Sequence, residues 1–83
     1  MNLFLYHTAG CHLCELAEQE LSKLPLKDTV SLVLVDIADS EPLMKQYDVR
    51  IPVIKLESVD SDLGWPFSCE DVVHYLAQNN IEL

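Results

Sequence analysis

Hydrophobic and polar residues follow one another in blocks of different period, and these blocks predict the secondary structure of the first half of the chain. The apolar stretch LFLYH at positions 3–7 predicts a buried strand. The nearly continuous apolar run VSLVLVDI predicts a central strand covered on both faces. Between them lies a predicted helix, ended by Pro25. Its apolar face is formed by Leu13, Leu16, Ala17, Leu21 and Leu24.

The second half of the chain predicts two more strands and two more helices. Ser40 is placed to cap a short helix with Pro42 in its first turn. PVIKLES and LGWPF predict two strands joined by the turn VDSD. Ser68 and Asp71 have the spacing of a capping box, which predicts the start of a last helix. The expected buried side of that helix is formed by Val72, Val73, Leu76 and Ala77.

The predicted order of elements is therefore β-α-β-α-β-β-α, in a single domain spanning residues 1–83. A helical crossover joins the first two strands, which makes them parallel, and the short turn makes the last two antiparallel. We expect an α/β fold, a four-stranded mixed sheet with helices on both faces.

The charge balance excludes several classes of partner. The chain has 5 Lys and Arg against 14 Asp and Glu, a net charge of −9. We expect no nucleic-acid partner, since phosphate backbones are bound by clustered cations. We also expect no membrane partner, because anionic surfaces would be repelled and no apolar run is long enough to span a bilayer. Three cysteines and no signal-like leader favour the cytoplasm over a secreted disulfide scaffold.

Two cysteines, Cys11 and Cys14, stand at the predicted junction between first strand and first helix. Their spacing puts both sulfurs on one side of the helix start, within reach of a disulfide. The helix N-terminus carries partial positive charge and free N–H groups, which stabilise a thiolate at Cys11. Because a thiolate attacks disulfides, this arrangement favours dithiol exchange, with Cys14 as the resolving cysteine.

Two other interpretations of the pair stay open. A structural zinc site needs four ligands, and the remaining candidates form no second pair. Those candidates are Cys69, His7, His12 and His74. Both thiols could also be buried and inert, since free cysteine is among the most buried residue types.

Pro52 at a predicted strand start fits either a cis bond facing a partner or an ordinary trans edge proline.

These features resemble the glutaredoxin branch of the thioredoxin superfamily. The resemblance rests on CHLC between strand and helix, on YDVRIPVI, and on CEDV opening the last helix. His12 and Leu13 stand where Pro and an aromatic residue are usual, Arg50 stands where Thr is usual, and WPFS replaces Gly-Gly. The chain is thus most similar to the atypical, short glutaredoxin-like proteins of bacteria.

The resemblance implies a role for each matching residue. Cys11 would be the nucleophile and Cys14 the resolving cysteine. Ile51–Pro52 would be a cis peptide facing them, with the backbone of Ile51 pairing with glutathione or a cysteinyl substrate. The γ-glutamyl end of glutathione would lie at Cys69 and Glu70.

Arg50 would then stabilise the Cys11 thiolate or bind a substrate carboxylate, the alternative being a solvated surface arginine. We expect no metal and no tightly bound cofactor, with glutathione as co-substrate and disulfide-containing proteins as partners of a monomer. The leading hypothesis is a thiol–disulfide oxidoreductase. A non-catalytic binding module of the same fold, and metal binding through Cys11 and Cys14 across a dimer, are the alternatives.

Overall fold

The computed structural model describes residues 1–26 and 29–83. The strands are β1 (Asn2–His7), β2 (Ser31–Asp36), β3 (Val53–Leu56) and β4 (Asp62–Gly64). The helices are α1 (His12–Ser22), α2 (Glu41–Tyr47) and α3 (Cys69–Gln78), with a short 3-10 turn at Ile37–Asp39. In this described part of the chain, no helix is long and apolar enough to cross a membrane.

The strands form one mixed sheet in the order β2-β1-β3-β4. β1 runs parallel to β2 and antiparallel to β3, and β3 runs antiparallel to β4. Alternate residues of β1 enter two separate cores. Leu3 and Leu5 pack with α1 and α3 on one face, whereas Tyr6 packs with α2 on the other. The α/β sheet with helices on both faces is confirmed.

The expectation that the second strand is central and covered on both faces was wrong. β2 lies at the edge of the sheet, with β1 as its only neighbour in the strand order. Leu32 and Leu34, which share a face with the buried Leu3 and Leu5, are 40% and 46% exposed. An apolar run specifies a strand, but its position in the sheet depends on β3 pairing with the other side of β1.

Two helix faces were also assigned with errors of one position. In α1 the buried residues are Cys14, Ala17 and Leu21, while Leu13 is 44% exposed. In α3 the buried set is Val72, Tyr75 and Leu76, whereas Ala77 is exposed and Val73 is 39% exposed. One residue along a helix is a rotation of about 100°, so flanking apolar residues fall outside the contact with the sheet.

The caps were predicted correctly, and the last strand was not. Ser40 caps α2, and Ser68 and Asp71 form the reciprocal capping box of α3. The fourth strand, however, ends at Gly64 and does not extend through WPF. Pro66 has no N–H to continue a ladder, and the chain leaves the sheet here toward α3.

Candidate dithiol site

The cysteine pair lies where a tight turn delivers the chain from β1 into α1. Gly10 adopts a φ of +77°, a conformation that side chains other than glycine rarely take. Cys11 is the N-cap residue of α1, and its Sγ accepts a hydrogen bond from the Cys14 N–H at 3.1 Å. The two cysteines are disulfide-bonded, with their Cα atoms 5.2 Å apart. This places a sulfur at the capping position that a Ser or Asp oxygen normally occupies.

The two sulfurs differ in their access to solvent. Cys11 is half-buried, whereas Cys14 is only 3% exposed and belongs to the buried side of α1. A reagent approaching from solvent therefore meets Cys11 first. A thiolate at Cys11 would be stabilised by the hydrogen bond from the Cys14 N–H and by the partial positive charge of the helix N-terminus.

The Ile51–Pro52 segment lies at the same end of the sheet as the pair. Tyr6 in β1 is paired with Val53 in β3, so Pro52 lies in register beside the residue that ends β1. Pro52 is less than 2% exposed, and the Ile51–Pro52 peptide bond is cis. The Trp65 N–H donates to the Pro52 carbonyl at 3.0 Å, which ties this segment to the chain leaving β4.

Only one backbone group of Ile51 is open to a ligand. Its N–H donates to the Tyr47 carbonyl at 3.0 Å, at the end of α2. Its carbonyl accepts no hydrogen bond from the residues that the structure describes. Pairing through the Ile51 backbone would therefore use the carbonyl oxygen as the acceptor.

Arg50 is bound to a carboxylate of the chain itself. Its guanidinium makes two hydrogen bonds to Asp62 on β4, one of them 3.0 Å long, and lies 5.6 Å from the centre of the Tyr47 ring. The hydrogen bonds to Asp62 raise the pKa of Arg50. Two of its five N–H donors are used in this way, so a substrate carboxylate would share the guanidinium with Asp62.

The start of α3, where Cys69 and Glu70 lie, is likewise occupied by groups of the chain. The Cys69 N–H donates to Glu20 Oε1 of α1 at 3.1 Å. The Ser68 N–H donates to an Asp71 carboxylate oxygen, and the Asp71 N–H to Ser68 Oγ. Cys69 is half-buried and Glu70 is exposed. Carboxylates of Glu20 and Asp71 thus already accept hydrogen bonds from backbone amides where a glutathione carboxylate was expected to bind.

Glu20 was missed by the sequence analysis. Its carboxylate binds Lys23 as well as the Cys69 amide, and these bonds, the one from Lys23 first, lower the pKa of Glu20. Glu20 and Cys69 are 49 residues apart, and no local pattern connects them. Only the packing of α1 beside α3 brings them together.

A groove of about 550 Å³ lies between α1 and the start of α3, and we call it the α1–α3 groove. Its walls are apolar at Leu16, Trp65 and Phe67, and the two aromatic rings meet edge to face with centroids 5.1 Å apart. Glu20 and Asp71 are its charged residues. The complete lining is Leu16, Gln19, Glu20, Trp65, Pro66, Phe67, Ser68 and Asp71.

The histidines considered as metal ligands belong to three different elements, with His7 at the end of β1. His12 faces Glu15 at 3.7 Å on the exposed start of α1, and His74 lies against Gln78 on α3. Across residues 1–26 and 29–83, His, Cys, Asp and Glu form no group of three or more that could hold a metal ion.

Comparison with known proteins gives one family match and two similar structures. A family model described as "Glutaredoxin-like domain (DUF836)" matches residues 2–77. A crystal structure of a protein from X. campestris is 29% identical with a TM-score of 0.78, covering 92% of this chain and 96% of that one. A solution NMR structure of a protein from Nitrosomonas europaea is 28% identical with a TM-score of 0.72, covering 89% and 88%. No curated protein matches significantly.

Proposed function

Because the chain belongs to the glutaredoxin-like domain family, we propose that it is a thiol–disulfide oxidoreductase acting through Cys11 and Cys14. One observation carries the proposal: an accessible Cys11 sulfur caps a helix and is bonded to a buried Cys14. A helix cap that stabilises a thiolate, with a second thiol in reach, is the arrangement that disulfide exchange requires.

In the proposed reaction the reduced pair transfers two electrons to a substrate disulfide. The Cys11 thiolate attacks one substrate sulfur, forming a Cys11–substrate bond, and the second substrate sulfur leaves as a thiolate and takes up a proton. Cys14 then loses its proton and attacks Cys11 Sγ, which releases the first substrate sulfur as a thiol. The products are a substrate dithiol and an oxidised Cys11–Cys14 pair.

The substrate would be positioned mainly by backbone groups near Pro52. The Ile51 carbonyl is the proposed acceptor, since the Ile51 N–H is bound to the Tyr47 carbonyl. Glutathione is the proposed reductant that returns the pair to the dithiol, and disulfide-containing proteins are the proposed partners of a monomer. The proposed location is the cytoplasm, where the glutathione pool keeps such pairs largely reduced.

The proposal is tested by equilibrating the protein in a series of glutathione redox buffers, alkylating free thiols and measuring masses. We expect Cys11 and Cys14 to titrate together with a midpoint of roughly −200 to −300 mV. Cys69 serves as the internal control, because it is the free cysteine of the structure and should stay alkylatable.

Two variants assign the roles. Cys14→Ser should trap the substrate or glutathione as a mixed disulfide on Cys11, whereas Cys11→Ser should abolish exchange. Full turnover in Cys11→Ser, or a pair that stays reduced in every buffer, would reject the oxidoreductase. A non-catalytic binding module or a metal-binding pair would then be the better interpretation.

A further inference from the structure

We propose that the substrates are disulfides in positively charged polypeptide segments, with an apolar side chain seated in the α1–α3 groove. This inference rests on the proposed oxidoreductase function and names its substrate class. It follows from three properties of the described residues: most amides at the start of α3 already have partners, the groove is apolar, and its charges are acidic.

The start of α3 offers little to an anionic ligand. The amides of Ser68, Cys69 and Asp71 donate to Asp71, Glu20 and Ser68 respectively, which leaves the Glu70 amide as the one without a partner among the described residues. A ligand carboxylate that binds the Cys69 amide would have to displace the Glu20 carboxylate from it. The ligand would also lie beside the Asp71 carboxylate, whose negative charge repels it. Glutathione, which carries net negative charge, is therefore expected to react without a dedicated site at this position.

The α1–α3 groove is connected through Trp65 to the Ile51–Pro52 segment, which lies at the same end of the sheet as the cysteine pair. Trp65 contributes to its wall and donates its backbone N–H to the Pro52 carbonyl. Pro52 in turn lies in register beside His7, the last residue of β1, and three residues separate His7 from Cys11. In the proposed binding mode, an extended segment whose cysteine meets Cys11 continues past Pro52 and places a following side chain between Leu16 and Phe67.

The charge around the groove selects a cationic segment. Glu20 and Asp71 line it, and among its described lining residues none is cationic. Lys23, the neighbouring cation, is already paired with Glu20, while Glu15 is 70% exposed on the first turn of α1. With a net charge of −9 on the whole chain, a cationic segment is also attracted at long range.

The test measures single-turnover reduction of three synthetic peptides by the pre-reduced protein. Each peptide is closed by one disulfide, and they differ only after the second cysteine: Leu-Lys-Lys, Leu-Glu-Glu or Gly-Lys-Lys. Each rate is divided by that of the same peptide with dithiothreitol, a neutral dithiol, which removes differences in intrinsic reactivity. Peptide dithiol and oxidised protein are quantified after acid quenching.

We expect Leu-Lys-Lys to be reduced about tenfold faster than Leu-Glu-Glu at low salt. That preference should fall to about threefold or less in about 0.5 M salt, where charges are screened within a few ångströms. Leu-Lys-Lys should also exceed Gly-Lys-Lys by about fivefold, because only leucine buries apolar surface in the groove.

Two variants with the same change in formal charge distinguish the effect of the groove carboxylate on substrate preference from the effect of the net charge of the whole protein. Glu20→Gln keeps an oxygen for the Cys69 amide and removes the carboxylate, and we expect the Lys-over-Glu preference to fall about threefold. Glu57→Gln, in the turn after β3 where Asn2 contacts it, should change the preference by less than about 1.5-fold. Thermal melts of both variants test whether each is folded.

The outcomes distinguish the two proposals. Equal normalised rates for all three peptides, or equal effects of the two variants, overturn the substrate class and leave the oxidoreductase intact. If no peptide oxidises Cys11 and Cys14 while dithiothreitol reduces the peptides normally, the oxidoreductase itself is rejected, and the substrate class with it.

Discussion

The hydroxyl of Tyr75 connects three elements, and its removal should cost the fold a measurable part of its stability. Tyr75 lies on α3 and is 5% exposed. Its oxygen accepts the Leu56 N–H at the end of β3 at 3.1 Å and donates to the Ser61 carbonyl at 2.7 Å. Burial raises the pKa of Tyr75, so the phenol keeps its proton at neutral pH. Tyr75→Phe removes this oxygen and leaves the ring in place.

The cost can be worked out from the two partners. Leu56 is fully buried, so its N–H would be left without a partner, which costs about 1–3 kcal/mol. Ser61 is exposed, and water can replace the lost donor to its carbonyl at little cost. We therefore expect Tyr75→Phe to lower the free energy of unfolding by about 2 kcal/mol. For a domain of this size that loss corresponds to a fall in Tm of roughly 8–16 °C.

Urea unfolding of the oxidised protein, followed by circular dichroism, measures this loss, and amide hydrogen exchange locates it. Tyr47→Phe is the control, because that hydroxyl accepts from the exposed Gln46 side chain at 3.3 Å and pairs with the Tyr6 hydroxyl, and it binds no buried strand amide. Exchange at the Leu56 amide should accelerate in Tyr75→Phe only. Equal losses below about 0.5 kcal/mol in both variants would refute the assignment of the cost to an unpaired amide.

Three further predictions concern the surroundings of the dithiol site. Asp62→Asn should lower the free energy of unfolding by only about 0.5 kcal/mol, because its ion pair with Arg50 is partly exposed to solvent. In matched urea titrations this loss should exceed that of Asp60→Asn, a change at an exposed neighbouring residue. The pKa of Glu20 is lowered below its usual 4.5, so its contribution to stability is present above that pH and lost as the pH falls through the folded value. Between about pH 6 and pH 3, the Tm of Glu20→Gln should therefore fall less than the Tm of the wild type. An identical fall in both proteins would contradict this. Gly10→Ala should lower the free energy of unfolding in urea by about 1–2 kcal/mol, because alanine is strained at the φ of +77°. The strain is confined to the backbone, since nothing lies within 4 Å of an added Cβ. An unchanged free energy of unfolding would mean that the turn can adopt another backbone conformation.

Local signals predicted the elements and caps well. Ser68 and Asp71 are three residues apart, and the capping box they form depends on no distant contact. The Cys11–Cys14 spacing predicted a bonded pair for the same reason, since one helical turn brings positions three apart together. Where Leu13 and Val73 were assigned to buried faces, the pattern was right about helices and wrong about their rotation against the sheet.

The sequence by itself determined the order of strands and helices, the acidic surface and the cysteine pair at a helix start, because each depends on residues close together in the chain. Tertiary structure decided that β2 is an edge strand, that Arg50 is bound to Asp62 and that Glu20 occupies the start of α3. These features need strand order and helix packing, which join residues far apart in sequence. The surroundings of the dithiol site, and with them the inferred choice of substrate, are of this second kind.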